Sequence, residues 1–340
     1  MKTVLDFAQN INVLGCPPAF FVQAQDLINS ALHYPDAHSE SVSRDIAVAF
    51  DLAPDGVIFC NGSTEALFIL PRFLNKKISL IPYPTFWEYS LASQKAGHKI
   101  NILSLVEAEN FVLNLPILES QLTPNTVVYL CNPNNPTSTL IEREKILTII
   151  KDHPNTCFVV DETYLIFRQD YSQLTLTSLA QNLDNLFVVT SFSKVFAVPG
   201  IRSAFLVSSP LNIAKYKEFH IPYSTNAFSE KVTSWLVKQT THLTKTRKFF
   251  LQARPDTYKL FQDKFYGLLQ PFVPEANFIL LKILVNKTST KVASKLKEQG
   301  FLVRDGAELG FTGDCWLRIC IQSHSQMTKL SSTLYKILTD

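Results

Sequence analysis

The chain has 340 residues, of which 46% are hydrophobic and 18% charged, and its net charge is +3. This composition is typical of a globular protein with a large core, and the length favours two subdomains. The small net charge, without a basic cluster, excludes a nucleic-acid-binding footprint and a polybasic membrane patch. No apolar run approaches the ~20 residues that a membrane-spanning helix requires.

The cysteines and histidines indicate neither a disulfide framework nor a metal site. None of the six cysteines forms a C-x-x-C pair. Cys60, Cys131 and Cys157 lie in or at the end of apolar runs, where a reduced thiol packs as a small hydrophobic group. The seven histidines form no H-x-H or H-x-x-x-H pair, so we expect no metal. The N-terminus shows no signal-peptide pattern, and with the reduced cysteines this predicts a cytoplasmic protein.

Short apolar runs rich in β-branched residues alternate with helical stretches over the first two thirds of the chain. This alternation predicts an α/β fold with an open, mostly parallel sheet of seven strands. The predicted strands are residues 57–60, 78–82, 99–104, 126–131, 156–161, 186–191 and 204–208, and the predicted helices include 64–75, 142–152 and 230–250.

The two ends of the chain differ from this pattern. The C-terminal end indicates a smaller α+β domain, and the first residues contain Pro17 and Pro18 but little periodicity. We therefore predict an N-terminal arm at 1–25 that packs with the small domain, a large domain at 26–240 and a small domain at 241–340. The predicted elements of the small domain are strands at 277–283, 301–304 and 316–321 and a helix at 291–299.

Polar and aromatic residues follow the ends of the predicted strands, where ligands bind in open α/β sheets. After strand 57–60, Gly62 permits a tight turn, and Ser63 with Thr64 opens a helix whose first N–H groups can bind an anion. The alternative for this segment is a simple helix cap. After strand 78–82, Phe86 can stack on a flat heterocycle, although an aromatic residue in this position is more often part of the core.

The next two strand ends carry amide and carboxyl groups. Residues 132–138 read N-P-N-N-P-T-S, a rigid turn in which Asn135 can donate to a phenolate oxygen. Asp161 ends strand 156–161, where a buried acid is costly unless it is paired. A protonated ring nitrogen is a suitable partner and would make the heterocycle an electron acceptor, while a helix cap is the alternative. Tyr164 can donate a hydrogen bond to an oxygen on the same ring.

A lysine follows strand 186–191 in the run Ser-Phe-Ser-Lys that ends at Lys194. A partly desolvated lysine has a lowered pKa and can form a Schiff base with an aldehyde. Arg202, eight positions later, would supply a fixed cation for a phosphate. These groups together favour pyridoxal 5'-phosphate, an aldehyde that carries a phosphate, over the alternative of a solvated surface lysine.

In order and spacing, these residues resemble the fold-type I pyridoxal-phosphate enzymes of the class I/II aminotransferase group, from about residue 6 to residue 321. The resemblance implies that Lys194 holds the cofactor covalently and that Asp161 and Tyr164 join it in catalysis. It also implies that Asn135 and Tyr164 contact the 3'-oxygen of the cofactor and that Phe86 stacks on its ring. The residues implied around the cofactor phosphate are Ser63, Thr64, Ser191, Ser193 and Arg202.

Two subfamilies of this group are the most similar: the threonine-phosphate decarboxylases of cobalamin synthesis and the histidinol-phosphate aminotransferases. Residues 6–15, D-F-A-Q-N-I-N-V-L-G, resemble the decarboxylase pattern D-F-S-x-N-I-N-P-L-G rather than the N-E-N-P-x-G of the aminotransferases. Tyr34 matches a tyrosine that reaches the cofactor phosphate of the neighbouring subunit, which implies a homodimer with shared sites. The substrate-binding residues implied by the resemblance are Asn12, Gly15, Asn135, Arg304 and Arg318.

The sequence therefore predicts decarboxylation of O-phospho-L-threonine or O-phospho-L-serine, giving an amino-alcohol phosphate for cobamide synthesis. An aminotransferase, such as one acting on histidinol phosphate, is the alternative, because both reactions use the same residues. A non-catalytic binding protein with this fold is a third reading, although it need not retain Lys194, Asp161 and Arg202 together. Three departures from the pattern leave the substrate open: Ser138 for the usual glycine, Thr163 for the common alanine and Val13 for proline.

Overall fold

The computed structural model describes residues 4–340 of the chain. Its centre is a seven-stranded sheet in which six strands run parallel and one, at residues 203–207, runs antiparallel to both neighbours. The predicted α/β fold with a mostly parallel sheet is thereby confirmed. The first eight strands are β1 Leu5–Asp6, β2 Val57–Asn61, β3 Ile78–Tyr83, β4 Lys99–Ser104, β5 Thr126–Cys131, β6 Cys157–Asp161, β7 Leu186–Ser191 and β8 Ser203–Val207.

The sheet order is β2-β8-β7-β6-β5-β3-β4, so the central strands are covered on both faces. Every residue of β5, β7 and β8 is buried, as expected for strands between two layers of helices. Because side chains alternate along a strand, Val128 and Leu130 pack in one core and Val127 and Tyr129 in the core on the opposite face. The carboxyl ends of these strands therefore open at one edge of a rigid sheet.

Fourteen helices lie among the described residues, and most of the longer ones cover the sheet. Three of the helices have only four residues each, and these lie between β6 and β8 along the chain. The helices are α1 Ala19–Asn29, α2 Glu40–Ala49, α3 Ser63–Phe73, α4 Glu88–Lys95, α5 Leu115–Ser120, α6 Arg143–Asp152, α7 Tyr171–Leu174, α8 Thr177–Ala180, α9 Phe192–Val195, α10 Pro210–Tyr216, α11 Ala227–Leu236, α12 Thr240–Lys264, α13 Ser289–Glu298 and α14 His324–Thr339.

The C-terminal part forms a smaller unit around an antiparallel sheet in the order β12-β13-β10-β9. In this sheet Leu280 lies opposite Arg318, which fixes the position of the arginine on a fully buried strand. Helices α13 and α14 cover the sheet, and their buried residues share a separate core with it. The strands are β9 Leu269–Pro271, β10 Phe278–Ile283, β11 Phe301–Leu302, β12 Arg304–Asp305 and β13 Trp316–Cys320.

Two predicted elements are divided in the structure. The predicted helix at 230–250 is two helices, α11 and α12, and the residues between them include neither glycine nor proline, so the sequence carries no local signal for the break. The predicted strand at 301–304 is likewise two strands, since β11 pairs with β1 while β12 pairs with β13.

The N-terminal segment runs along the small sheet before it enters the first helix. Strand β1 pairs in parallel with β11, and Phe7 is fully buried in the small core. Helix α1 begins at Ala19, directly after Pro18, so the irregular segment is shorter than the predicted arm at 1–25. Proline is tolerated at a helix start because the N–H it lacks has no intrahelical partner there. Residues 1–3 of the predicted arm lie outside the described part of the chain.

Candidate active site

A cavity of about 450 Å³ lies at the carboxyl edge of the large sheet, between that sheet and the small one. Its walls come from the ends of β2, β3, β5, β6 and β7, from the N-terminal segment and from β12 and β13. The residues that line it are Ala8, Gln9, Asn10, Ser63, Thr64, Phe86, Glu88, Cys131, Asn135, Asp161, Thr163, Tyr164, Ser191, Ser193, Lys194, Pro199, Arg202, Arg304 and Arg318.

Lys194 lies on the short helix α9 that follows β7, and its Nζ donates a hydrogen bond of 3.0 Å to the carbonyl oxygen of Gln9. Burial lowers the pKa of Lys194, and the positive charges of Arg318, Arg202 and Arg304 lower it further. A lowered pKa increases the fraction of neutral amine, which is the form that attacks a carbonyl carbon.

Asp161 ends β6 with only 4% of its surface exposed. Its Oδ1 accepts the backbone N–H of Thr163 at 2.9 Å, and its Oδ2 accepts the hydroxyl of Tyr89 at 2.9 Å. Burial raises the pKa of the Asp161 carboxyl, and these donors oppose the rise by favouring the ionised form. The carboxylate is therefore held in one orientation at the floor of the cavity.

Asn135, Tyr164 and Arg318 form a connected polar wall. Nη1 of Arg318 donates to Oδ1 of Asn135 at 2.5 Å, and Nη2 donates to the carbonyl oxygen of Ala8. The hydroxyl of Tyr164 accepts a hydrogen bond of 3.3 Å from Nδ2 of Asn10. Burial raises the pKa of Tyr164 to about 12 and lowers that of Arg318 to about 10. At neutral pH the wall therefore presents a neutral phenol beside a guanidinium cation.

The end of the cavity around Ser63, Thr64 and Arg202 carries groups that can bind an anion. Gly62 has φ +78° and precedes Ser63 and Thr64, which begin the 11-residue helix α3. A Cβ atom at Gly62 would lie 2.3 Å from Nη2 of Arg202, so only glycine allows the guanidinium to approach this turn. Oγ of Ser193 is buried without a hydrogen-bond partner in the described chain. N–H groups of a helix start, hydroxyls and a guanidinium together suit a phosphate.

Three residues predicted for the site do not line this cavity. Asn12 is 2% exposed, and its Nδ2 donates to the carbonyl oxygen of Val195 at the end of α9 and to Oγ1 of Thr246 on α12. Gly15 forms a turn with φ +72° outside the cavity. Tyr34 is 90% exposed on the surface of the chain.

Sequence reasoning missed several residues of the cavity wall. Glu88 lines the cavity, and Tyr89 lies behind the wall and donates to Asp161. Both follow Phe86 at the start of α4, and that position was the signal that could have identified them. The arm contributes Asn10, which adopts φ +55°, and not Asn12, whose side chain is bonded to Val195 and Thr246. The sequence pattern alone does not show which of two nearby asparagines points inward.

The groups of this cavity fit pyridoxal 5'-phosphate. Lys194 offers an amine of lowered pKa, and Asp161 an oriented carboxylate. At the anion end, Ser193 leaves a buried hydroxyl without a partner in the described chain, and the guanidinium of Arg202 lies against the turn at Gly62. In the described part of the chain, no cluster of three histidine, cysteine or acidic residues could hold a metal ion, and no helix is long and apolar enough to cross a membrane.

Comparison with known proteins identifies relatives over most of the chain. A protein of Caldanaerobacter subterraneus subsp. tengcongensis with the provisional name threonine-phosphate decarboxylase is 32% identical over 315 residues, covering 92% of this chain and 84% of the relative. The histidinol-phosphate aminotransferase of Thermoanaerobacter pseudethanolicus is 32% identical over 309 residues, covering 90% of this chain and 84% of the relative.

Solved structures share the fold. The histidinol-phosphate aminotransferase from Clostridium acetobutylicum superposes with a TM-score of 0.91 at 25% identity, covering 99% of both chains. The family model for aminotransferase class I and II matches residues 2–334. The chain therefore belongs to the class I and II aminotransferase family of enzymes, and its cofactor is pyridoxal 5'-phosphate.

Proposed function

We propose that this enzyme decarboxylates an O-phosphorylated amino acid, O-phospho-L-threonine or O-phospho-L-serine, to an amino-alcohol phosphate used in cobamide synthesis. One observation carries the proposal: the arm segment whose sequence resembles the decarboxylase pattern lines the cavity at Ala8, Gln9 and Asn10. Its carbonyl oxygens accept hydrogen bonds from Lys194 and Arg318. The segment that resembles decarboxylases thus touches the groups that would hold the cofactor and substrate.

We assign the cofactor contacts to the residues that the cavity brings together. Lys194 would hold it covalently, Asp161 would pair with its ring nitrogen, and the turn at 62–64 with Arg202 would hold its phosphate. When bound, the cofactor accepts electrons from the bond that breaks at the substrate's α carbon. Lys194 Nζ would give or take a proton at that carbon, and burial, which lowers its pKa, favours the neutral amine that accepts one.

Two guanidinium groups on the small sheet favour a substrate with two anionic groups. Arg304 and Arg318 both line the cavity, and the Nε atom of each is buried without a hydrogen-bond acceptor among the described residues. Arg304 also donates from Nη1 to Glu308 at 2.8 Å, so part of its charge is already paired. A phosphate and a carboxylate match the remaining donors better than an apolar side chain does.

The names of the relatives do not choose between the two reactions. Relatives named for decarboxylation and for amino transfer are each 32% identical to this chain. Amino transfer to a 2-oxo acid therefore stands as the second candidate. The choice depends on which bond of the substrate aligns with the ring, and the substrate's anionic groups determine that alignment through Arg304, Arg318 and the arm.

We also propose a homodimer in which Tyr34 reaches the cofactor phosphate of the partner. Phe21, Val22, Leu32 and Tyr34 are each at least 75% exposed on or just after helix α1. Large apolar side chains grouped on one surface are typical of a protein interface.

The purified holoenzyme should be incubated separately with phosphothreonine, phosphoserine and histidinol phosphate, with and without 2-oxoglutarate. Carbon dioxide release from a phosphorylated amino acid without 2-oxoglutarate is the expected result. Glutamate formation that requires 2-oxoglutarate, with no carbon dioxide, would replace the decarboxylase by an aminotransferase.

A further inference from the structure

Glu88 is a cavity residue whose carboxyl group is not satisfied by the protein. It begins helix α4, is half-buried and lines the cavity with Ser63, Thr64 and Arg202. Its Oε2 atom is buried and has no hydrogen-bond partner among residues 4–340. Burying an ionised oxygen without a partner is costly, so this carboxyl group is suited to a ligand or a proton.

Some groups around Glu88 raise the pKa of its carboxyl group and others lower it. Burial raises the pKa of the Glu88 carboxyl, and the negative charge of Asp161 raises it further. The hydroxyl of Thr64 and the positive charge of Arg202 oppose the rise. Lys194 and Arg318 face the same cavity, whereas the neighbouring Tyr89 on α4 directs its hydroxyl to Asp161.

Glu65, on helix α3, is a glutamate whose two carboxyl oxygens both accept hydrogen bonds, and it serves as the comparison for Glu88. Its Oε2 accepts the backbone N–H of Asn61 at 2.8 Å, and its Oε1 accepts the hydroxyl of Ser224 at 2.8 Å. His220 adds a further favourable contact, and the pKa of Glu65 is lowered although burial opposes this. Glu88 has no such donors on its buried oxygen, and it faces the anion end of the cavity.

We propose that Glu88 acts as a neutral carboxylic acid that donates a hydrogen bond to the cofactor phosphate, so that cofactor binding takes up one proton. A carboxylate beside a phosphate dianion would repel it, whereas the protonated form supplies one more donor to the cradle of Ser63, Thr64 and Arg202. This role rests on the proposed position of the phosphate, and it holds for decarboxylation and amino transfer alike.

The sign of the pH effect follows from linkage. The bound phosphate raises the pKa of Glu88 above its value in the cofactor-free protein, so binding takes up a proton at pH values between the two. Over that range the affinity for the cofactor falls as pH rises, by up to about tenfold per pH unit.

The test uses the full-length chain freed of cofactor and pyridoxine 5'-phosphate, which has no aldehyde and cannot react with Lys194. Calorimetric titration at about pH 8 in two buffers of different ionisation enthalpy gives the number of protons taken up. The variants are Glu88→Gln, which keeps a donor without a charge, and Glu88→Leu, which has neither. Glu65→Gln is the matched control, since it removes the same charge from the neighbouring helix.

We expect the wild type and Glu65→Gln to take up about one proton more than Glu88→Gln. At low pH, Glu88→Gln should bind within about threefold of the wild type and Glu88→Leu about tenfold more weakly, because a donor to a charged group is lost. Equal proton uptake by the wild type and Glu88→Gln would overturn the proposal, as would equal affinity of the Gln and Leu variants. The same difference seen with pyridoxine, which lacks the phosphate, would also overturn it, because Glu88 would then act on the ring.

Discussion

The hydroxyl of Tyr89 donates a hydrogen bond of 2.9 Å to Oδ2 of Asp161, so a residue at the start of α4 orients the carboxylate that ends β6. The second oxygen of Asp161 is held by the backbone of Thr163. The Tyr89 hydroxyl can be removed by a side-chain substitution, whereas the backbone N–H of Thr163 cannot.

Asp161→Asn should retain part of the cofactor through the phosphate contacts but lose about 10²- to 10³-fold in kcat, because the ring nitrogen loses its anionic partner. Tyr89→Phe should lose only about fivefold, the value of one hydrogen bond. Steady-state kinetics of both variant holoenzymes show whether Asp161→Asn loses more kcat than Tyr89→Phe. Tyr129→Phe is the matched control: its ring stacks on that of Tyr89, and its buried hydroxyl has no partner in the described chain. Near-normal turnover by Asp161→Asn would contradict the assigned role.

Lys194 is expected to carry the cofactor covalently. Borohydride reduction should fix the cofactor on the peptide that contains Lys194, and Lys194→Ala should lose at least about 10³-fold in turnover. Because the pKa of Lys194 is lowered, mainly by burial, covalent attachment should increase with pH through a midpoint below that of a free lysine. The exposed Lys145 serves as the control substitution. Recovery of the label on a different lysine would rule out this assignment.

Arg318 and Arg304 should differ in their effect on a phosphorylated substrate. Arg318→Ala should lower kcat/KM for phosphothreonine, because a buried charged donor is lost. The loss corresponds to about 2–4 kcal/mol of transition-state binding free energy. Arg304→Ala should cost less, about fivefold, because Glu308 already binds one of its nitrogens. Glu308→Gln is the control and should leave kcat/KM equal or higher. Equal rates with threonine and phosphothreonine in the wild type would exclude a phosphate-binding role.

Tyr34→Phe tests the proposed shared site. Loss of one hydrogen bond to the phosphate of the partner's cofactor should weaken cofactor retention by about 1 kcal/mol, or about fivefold. Cofactor release can be followed by absorbance while sedimentation reports the oligomeric state. Tyr266→Phe, on a tyrosine 94% exposed, should have no effect. A fully active monomer at the assay concentration would refute the shared site.

Substitutions at Ser138 measure how its hydrogen bonds offset the strain of a positive φ angle. Ser138 has φ +61°, and its Oγ accepts the backbone N–H groups of Ala276 at 2.8 Å and Glu275 at 3.0 Å. Ser138→Gly removes the backbone strain but also these bonds, so we expect a net loss of about 1 kcal/mol in the free energy of unfolding. Ser138→Ala keeps the strain and loses the bonds, so it should cost about 2 kcal/mol.

Chemical denaturation measures the free energy of unfolding of each Ser138 variant, and we expect the alanine variant to be the less stable of the two. An alanine variant more stable than the glycine variant would show that the strain at this φ angle is smaller than the backbone entropy that alanine saves in the unfolded chain. The same bonds connect the loop of Asn135 to the segment that enters β10, so the departure from the expected glycine has a structural explanation.

The sheet and most of its ligand edge could be predicted from the sequence, because buried parallel strands are continuous apolar runs with polar residues at or shortly after their ends. Asp161 and Lys194 are examples, since each directly follows or ends such a run. The arm could not be placed in this way. It has little periodicity, and Asn10 rather than Asn12 faces the cavity, while Asn12 bonds to Val195 and Thr246, which are distant in sequence.

Tyr89 and Glu88 illustrate a second limit. Both lie at the start of helix α4, where a tyrosine or a glutamate is as common on the surface as in a site. Their partners, Asp161 and Thr64, are distant in sequence, and only the packing of α4 against the strand ends brings them together.

The arm contacts Lys194 and Arg318 through backbone carbonyl oxygens of Gln9 and Ala8 rather than through side chains. Any amino acid presents the same carbonyl group, so substitutions at these two positions can reshape the cavity while both contacts persist. Selection can therefore change which substrate fits against the arm without first disabling the lysine and arginine to which we assign the chemistry.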